Sequence, residues 1–388
     1  MKKKITTKKK IILLAVIVLL AAAIAITAVI SLNVYSQEQM KKIPPMTAME
    51  TLSYTLKDTE NAVVTIGTIQ NGEKSWKVYG NNCSELPAEL HTYEICSLTK
   101  TVTAAMTAQA VRDGLLDIDE TIDNYLDLPA DNTYPTVRDL LTHTSGYKEY
   151  YFESPMIGNF FTGRNSFCGI TDEMLLDTLG KLSTENEDKS WRYSNFGFAV
   201  LGQLLEKFYD GEYTALANAF LQKLGMTNSH ISTCEGDLGN YWDWKAEDAY
   251  LSAGAIVSDI DDMLVYAQHQ LDGEGIFALA HTPLREVNAT PDSYAMLDMR
   301  VDAMGMAWII DEEHGFIWHN GASGNYNCYL GLCPDTQTAV VVLSNLSPGY
   351  RIPATITGIK LLEEMQWAPL VSGIVNRNAP HREIKIWN

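Results

Sequence analysis

The chain has 388 residues, of which 46% are hydrophobic, and its 29 basic and 48 acidic residues give a formal net charge of −19. This length suffices for one large domain or two modest ones, and the apolar content can build a core of good size. The acidic balance gives no electrostatic reason to bind nucleic acid or an anionic surface, so no nucleic-acid partner is expected.

The N-terminal segment is a basic tail followed by an apolar run. Six lysines lie in residues 1–10, and residues 11–32 carry no charge. Such a run is long enough to span a bilayer as a helix, and it continues past Ala-Ile-Thr-Ala at 25–28, which could mimic a signal-peptide cleavage site. An uncleaved anchor is therefore favoured over a cleaved signal peptide. The run predicts a single pass through the cell membrane, and the lysines predict a cytoplasmic tail with the chain after residue 32 outside the cell.

Elements predicted after the anchor place strands at both ends of the chain and helices in the middle. Residues 33–48 are polar, include Pro44-Pro45 and indicate a stalk. Residues 62–69 and 75–79, joined by Asn71-Gly72, predict a β-hairpin. Helices and loops dominate from 97 to about 265, a final helix is predicted at 354–365, and strands return at 305–310, 316–318, 326–332 and 338–343. This order predicts an α+β fold, an antiparallel sheet flanked by helices and interrupted by an all-α insertion.

The motif Ser97-Leu98-Thr99-Lys100 carries the first chemical signal. It begins an apolar-periodic stretch that predicts a helix ending at Gly114. A serine and a lysine three positions apart near a helix start lie on one face, so the amine can contact the hydroxyl. A serine needs such a base to become a nucleophile, and burial together with the helix N-terminus favours the neutral amine of Lys100.

Two further motifs follow. Tyr193-Ser194-Asn195 opens another apolar-periodic helix, and His319-Asn320-Gly321 lies between strand-like segments near the C-terminus. Serine-x-x-lysine, tyrosine-x-asparagine and a basic residue-x-glycine, in this order, resemble the serine β-lactamase and penicillin-binding protein family. The tyrosine-x-asparagine form resembles the class C β-lactamases and their D-alanyl-D-alanine carboxypeptidase and esterase relatives. The resemblance covers about residues 50–370 and is also carried by 97–114, 137–146 and 252–262.

The resemblance implies a role for each residue of the first two motifs. Ser97 is expected to be the nucleophile and Lys100 its proton acceptor. Tyr193, with a phenol pKa lowered by Lys100, is expected to be a partner base that also activates water. Asn195 is expected to contact the substrate amide and Lys100, whereas on its own it is a typical helix cap.

The resemblance also assigns the third motif to substrate binding. His319 stands where β-lactamases usually carry lysine, which favours the carboxypeptidases, aminopeptidases and esterases. It can hold a substrate carboxylate or relay protons, Asn320 completes the motif, and Gly321 lets substrate pass close to the strand. The oxyanion hole would use the backbone N–H groups of Ser97 and Ala322.

The resemblance and the N-terminal segment together imply an anchored extracellular serine hydrolase. A β-lactamase-like hydrolase domain is expected at 49–372 and a C-terminal tail at 373–388, with the site in a cleft between an α/β half and an all-α half. The expected activity proceeds through an acyl-serine intermediate and is D-alanyl-D-alanine carboxypeptidase-like, D-amino-acid peptidase or esterase activity linked to the cell wall. The expected substrate is a small molecule or peptide with a D-amino acid, ester or β-lactam. A true class C-type β-lactamase and a non-catalytic penicillin-binding-like module are the alternatives.

The remaining sequence features concern cofactors, two segments near the cleft and the cysteines. The sequence lacks C-x-x-C, H-E-x-x-H and nucleotide-binding motifs, so neither a metal nor a cofactor is expected. The Thr142–Gly146 motif is interpreted as a structural cap and turn. Residues 147–167, rich in aromatics and glycine, indicate a loop or lid near the cleft, with core packing as the alternative. The six cysteines leave disulfide pairing open.

Overall fold

The structure is a computed structural model that describes residues 40–185 and 188–372, with side chains of the last helix described as far as residue 366. The predicted tail at 1–10, the anchor at 11–32, the first part of the stalk and the C-terminal tail at 373–388 lie outside the described residues. Within the described residues, no helix is both long enough and apolar enough to cross a membrane.

The chain divides into two compact units. The described part of the smaller unit consists of residues 40–46 and 291–298 and holds one short helix. The described part of the larger unit comprises residues 47–185, 188–290 and 299–372. All of the motifs identified above belong to the larger unit.

Twelve strands of the described residues form two antiparallel sheets. Their bounds are β1 (Val64–Gln70), β2 (Glu73–Tyr79), β3 (Glu85–Leu86), β4 (Tyr93–Glu94), β5 (His230–Ile231), β6 (Ile256–Ser258), β7 (Arg285–Glu286), β8 (Ala303–Met304), β9 (Ile309–Asp311), β10 (Phe316–Ala322), β11 (Asn327–Cys333) and β12 (Thr338–Ser344). The large sheet has the order β3-β2-β1-β12-β11-β10-β9-β8-β7, and the small sheet has the order β4-β6-β5. N-terminal and C-terminal strands thus pair directly, as β1 with β12.

Helices of the larger unit's described residues cover both faces of the large sheet and fill the insertion, and α11 belongs to the smaller unit. They are α1 (Ala48–Leu56), α2 (Thr99–Arg112), α3 (Val137–Leu141), α4 (Pro155–Thr162), α5 (Asp172–Leu179), α6 (Asn195–Tyr209), α7 (Tyr213–Lys223), α8 (Leu251–Gly254), α9 (Ile260–Asp272), α10 (Ile276–His281), α11 (Asp292–Ala295) and α12 (Ala354–Ser372). Helices α2 to α8 lie between β4 and β6 in the chain, so the predicted helical insertion and α+β class are confirmed.

Close packing at glycines fixes α9 and α12 on opposite faces of the large sheet. A Cβ added to Gly67 of β1 would lie 2.6 Å from Ile260 of α9, and one added to Gly358 of α12 would lie 2.1 Å from Tyr329 of β11. Gly67 shares a face with Leu330, because each pairs with Val341 of β12. Neighbouring residues of a strand face opposite ways, so Tyr329 belongs to the other face.

The predicted hairpin of β1 and β2 is confirmed, and its turn residues Asn71 and Gly72 both have positive φ, as a two-residue turn requires. The single strand predicted at 305–310 is wrong. Residues 305–308 form the turn between β8 and β9, in which Gly305 N donates to Trp308 O at 2.8 Å and Ala307 has φ +68°. The sequence pattern does not show this reversal of chain direction, because the residues on both sides of the turn are buried and apolar.

Candidate active site

The serine-lysine pair lies where the chain enters α2. Ser97 belongs to a single 3-10 turn, Cys96–Leu98, which runs directly into the helix. Cys96 has φ +50°, a backbone region that side chains other than glycine rarely adopt. The Nζ atom of Lys100 lies 3.2 Å from Ser97 Oγ and donates to Ala253 O at 2.6 Å. The contact predicted from their spacing is present.

Burial makes Lys100 a candidate proton acceptor. The side chain is fully buried, and this loss of solvation lowers its pKa to about 7, although the charge of Glu149 acts to raise it. At neutral pH a large fraction of Lys100 is therefore the neutral amine, which has two hydrogens and one lone pair. One hydrogen satisfies Ala253 O, and the lone pair can take the Ser97 hydroxyl proton.

Tyr193 lies in the loop before α6 and hydrogen-bonds to Ser97. Lys100 Nζ is 4.9 Å from the centre of its ring. The expected lowering of its phenol pKa is wrong: burial raises the pKa and the charge of Glu149 adds to this, while the bond to Ser97 opposes it. Because a large fraction of Lys100 is neutral at pH 7, its charge does not offset the effect of burial on the phenol. The protonated phenol is suited to donate to Ser97 Oγ and, later, to a leaving group.

Asn195 is the first residue of α6 and contacts a residue that the motifs did not include. Ser194, not Asn195, caps the helix, because its Oγ accepts from Gly197 N at 2.9 Å. Asn195 Nδ2 donates to Glu149 Oε1 at 3.3 Å. Among the described hydrogen bonds none joins Asn195 to Lys100, so the expected direct contact is replaced by one to Glu149.

His319 is buried on β10 and faces the same cleft. Its Nδ1 donates to Asn320 O at 2.6 Å, and its ring centre is 6.4 Å from that of Tyr193. Burial, followed by the charge of Lys100, lowers the pKa of His319 to about 3. The ring is thus neutral at physiological pH, with Nε2 as an acceptor, and it brings no positive charge to hold a carboxylate.

Gly321 and Asn320 face opposite sides of β10, because neighbouring residues of a strand alternate between its two faces. A Cβ on Gly321 would lie 2.4 Å from Ile95 O and 2.9 Å from Ser97 N, so only glycine allows β10 to lie against the nucleophile turn. Asn320 points to the opposite face, where its Nδ2 donates to Thr355 Oγ1 of α12 at 3.0 Å. The structure therefore brings Gly321 to Ser97 and holds the Asn320 side chain away from it.

The position of Ala322 fits the expected oxyanion hole. Ser323 N donates to Tyr326 O at 2.9 Å, on the side of β10 that carries β11. Backbone groups alternate along a strand, so Ala322 N–H points to the other edge. That edge is open here, because β9 pairs only with residues 316–318. Ala322 N–H and Ser97 N are thus both available at the edge beside the nucleophile, and the oxyanion hole stays a prediction that this geometry supports.

Comparison with known proteins gives the family. The family model described as Beta-lactamase matches residues 63–359 of the chain. The chain belongs to the beta-lactamase family.

Individual relatives within the beta-lactamase family are distant. Protein flp of Staphylococcus aureus (strain N315) is 20% identical over 283 residues, which are 66% of this chain and 53% of that protein. A Beta-lactamase of Providencia stuartii is 25% identical over 215 residues, which are 54% of this chain and 50% of that protein. The chain thus spans about half the length of the curated relatives it matches.

Solved structures show the same beta-lactamase fold. The octameric penicillin-binding protein homologue from Pyrococcus abyssi gives a TM-score of 0.62 at 19% identity, covering 89% of this chain and 77% of that chain. The Beta-lactamase/D-alanine Carboxypeptidase from Yersinia pestis gives a TM-score of 0.62 at 18% identity, covering 84% of this chain and 98% of that chain. At these identities the likeness establishes the fold alone.

Besides Glu149, two supporting residues of this beta-lactamase-family site were not identified as such from the sequence. His143, within the 142–146 motif, accepts from Arg192 N through its carbonyl at 2.8 Å and from Ser194 N through Nδ1 at 3.1 Å, which holds Tyr193 between them. Buried Glu94 accepts from Trp242 N at 2.6 Å and from Ser323 Oγ at 2.5 Å. Glu94 could have been found from the sequence, because it is a carboxylate in the apolar run that leads to Ser97 and a buried carboxylate needs hydrogen-bond partners.

Replacing Tyr193 by phenylalanine should slow turnover of an ester substrate by roughly two to four orders of magnitude, the usual range for a positioned acid–base group. The ring and its packing against His143 are retained, so the loss isolates the hydroxyl. Steady-state kinetics of purified wild type and variant measure it. Tyr209→Phe, which removes a phenol bonded to Asp113, is the control. A loss in Tyr193→Phe of less than about threefold, far below that range, would mean that Tyr193 only packs.

Proposed function

We propose that the protein is a serine hydrolase that forms an acyl-Ser97 intermediate and acts on esters or D-amino-acid peptides linked to the cell wall. The observation that carries this proposal is the 3.2 Å contact between Ser97 Oγ and a fully buried Lys100 whose pKa is lowered to about 7. Such a pair combines a nucleophile with a base that is active at neutral pH.

In the proposed reaction Lys100 takes the Ser97 proton as Oγ attacks the substrate carbonyl. The N–H groups of Ser97 and Ala322 stabilise the developing oxyanion. Tyr193 donates its phenol proton to the departing alcohol or amine, and the proton held by Lys100 restores the phenol. Water then attacks the acyl carbonyl and gives a proton to neutral Lys100; the bond from the acyl carbon to Oγ breaks, and that proton returns to Ser97 Oγ.

The neutral state of His319 favours substrates that need no carboxylate for binding. With a pKa of about 3, it offers an acceptor rather than a cation, and the nearby carboxylate of Glu149 disfavours a second negative charge. This supports an esterase or a D-amino-acid peptidase over a D-alanyl-D-alanine carboxypeptidase or a class C-type β-lactamase. The similarity to a protein named Beta-lactamase keeps the latter as the second candidate. A non-catalytic module is disfavoured because Ser97, Lys100 and Tyr193 lie together.

Parallel labelling with a fluorescent fluorophosphonate and a fluorescent penicillin tests the substrate class. We expect rapid labelling of Ser97 by the uncharged fluorophosphonate and slow or no labelling by the penicillin, whose carboxylate meets no cation at His319. Peptide mass mapping identifies the modified residue. Efficient penicillin turnover, with kcat on the order of 10–1000 per second, would establish the β-lactamase alternative instead.

We further propose that residues 11–32 anchor the enzyme in the cell membrane with its catalytic domain outside. The support is the charge-free run that follows the lysine-rich residues 1–10. Full-length protein should fractionate with membranes, and removal of residues 1–32 should give a soluble, active enzyme. Added protease should digest the catalytic domain on intact cells. Protection of that domain in intact cells would overturn the orientation.

A further inference from the structure

We propose that an aromatic cavity beside the site binds an uncharged apolar substituent of the substrate, an aliphatic chain or an aryl group. This inference rests on the proposed hydrolase function and specifies its substrate class. The cavity has a volume of about 560 Å³, within the usual range of small-molecule sites. Its walls include Phe152, Phe160, Phe161, Phe167 and Trp242.

Two walls of the cavity contact residues at the edge of the candidate site. On one side Glu149 lines the cavity and accepts from Asn195 at 3.3 Å. On the other side Trp242 lines the cavity, and its indole Nε1 lies 3.0 Å from the position of a Cβ on Gly324, two residues after Ala322. The cavity therefore borders the site on two sides, through Glu149 at Asn195 and through Trp242 at the chain that follows β10.

Hydrogen bonds hold the cavity open in its present form. Helix α4, which carries Phe160 and Phe161, is held in place by Asn159, whose Nδ2 donates to Cys168 O at 2.8 Å. The chain after α4 is tied to the Trp242 loop, because Asn165 N donates to Asp243 Oδ1 at 3.1 Å and Arg164 forms an ion pair with the same carboxylate. A preformed apolar cavity binds a ligand without the cost of ordering its walls.

Three of the aromatic side chains that line the cavity are largely exposed to solvent, as expected for groups that pack against a bound ligand. Phe160 and Phe161 are 79% and 81% exposed, and Phe152 is 69% exposed. They sit together around one cavity, whereas isolated exposed apolar residues need no explanation. The one carboxylate among the lining residues that the structure describes is Glu149, at the end nearest the site. An anionic group would be repelled there, so the substituent that enters is uncharged.

A series of p-nitrophenyl esters, from acetate to octanoate, tests the proposal with the leaving group held constant. In the wild type kcat/KM should rise about two- to fourfold per methylene, as expected for a chain transferred from water to an apolar wall. Acetate esters of alcohols from ethanol to octanol test the same cavity from the leaving-group side. A rise in either series supports the proposal, and flat dependence in both overturns it.

The matched variants are Phe160→Ser with Phe161→Ser, and Leu115→Ser as a control. Leu115 is 40% exposed and does not line the cavity, so its variant should keep the full chain-length dependence. The double variant should lower the octanoate-to-acetate ratio of kcat/KM at least tenfold. An unchanged ratio would overturn the proposal, and if binding to phosphatidylcholine vesicles falls while the ratio stays, the rim is a membrane contact instead. Failure of every ester to acylate Ser97 would contradict the proposed function itself.

Discussion

Replacement of Ser97 by alanine should abolish covalent labelling and reduce ester turnover by at least about four orders of magnitude. The change removes the atom that forms the acyl bond, so no acyl-enzyme can accumulate. Binding and the predicted oxyanion hole at Ser97 N and Ala322 N remain, which leaves a small residual rate. Intact mass after incubation with a fluorophosphonate measures the adduct, and kcat/KM with an activated ester measures the turnover.

The fold should survive this substitution. Lys100 loses its contact with Ser97 Oγ but keeps the bond to Ala253 O, and alanine fits the space of the serine. Ser75→Ala, at a serine on β2 whose Oγ bonds to Thr68, is the matched control and should label like wild type. Labelling of Ser97→Ala at the wild-type rate would assign the nucleophile to another residue.

The contact of Ser97 with Lys100 was predictable because it is local. A helix brings residues three apart onto one face, whatever the rest of the chain does. The same holds for the β1–β2 hairpin, which depends on Asn71-Gly72 and on the strands beside it. The order of strands and helices then sufficed for the fold class, because an interrupted sheet must close β1 against a C-terminal strand.

Contacts between distant segments were not predictable in the same way. The lowering of the Tyr193 pKa was expected from Lys100, but burial raises this pKa and outweighs a neighbouring amine of which a large fraction is neutral at pH 7. Asn320 was grouped with its motif, although strand alternation turns it to the face covered by α12. Glu149 escaped notice because its distance to Asn195 is set by the path of the intervening chain, which sequence spacing does not encode.

The replacement of Lys100 by methionine should both inactivate the enzyme and stabilise it. Loss of the proton acceptor should lower acylation by roughly two to four orders of magnitude. The buried amine also opposes folding, because burial lowers its pKa from 10.5 to about 7. At about 1.4 kcal/mol per pKa unit, the cost of burying Lys100 at pH 7 is on the order of 4 kcal/mol.

Methionine has a similar length and carries no charge, so it removes that cost. It leaves Ala253 O without its donor, which costs about 1–3 kcal/mol. A net gain on the order of 1–3 kcal/mol in the free energy of unfolding is therefore expected at pH 7. Such a gain at a catalytic position is typical of sites where function requires a group that the fold disfavours.

The stability and the acylation rate of the wild type should both depend on pH through Lys100. Between pH 7 and 10.5 the unfolded chain holds a proton on Lys100 that the folded protein lacks, so wild-type stability rises with pH through this window. Lys100→Met has no such slope, and its advantage should shrink towards pH 10. Wild-type acylation should fall as the pH drops below about 7 and the amine becomes charged. Urea denaturation and labelling rates across this range, with Lys207→Met as the exposed control, measure both effects. A methionine variant that is less stable than wild type at pH 7, or one whose advantage is constant with pH, would show that the buried amine carries no such cost.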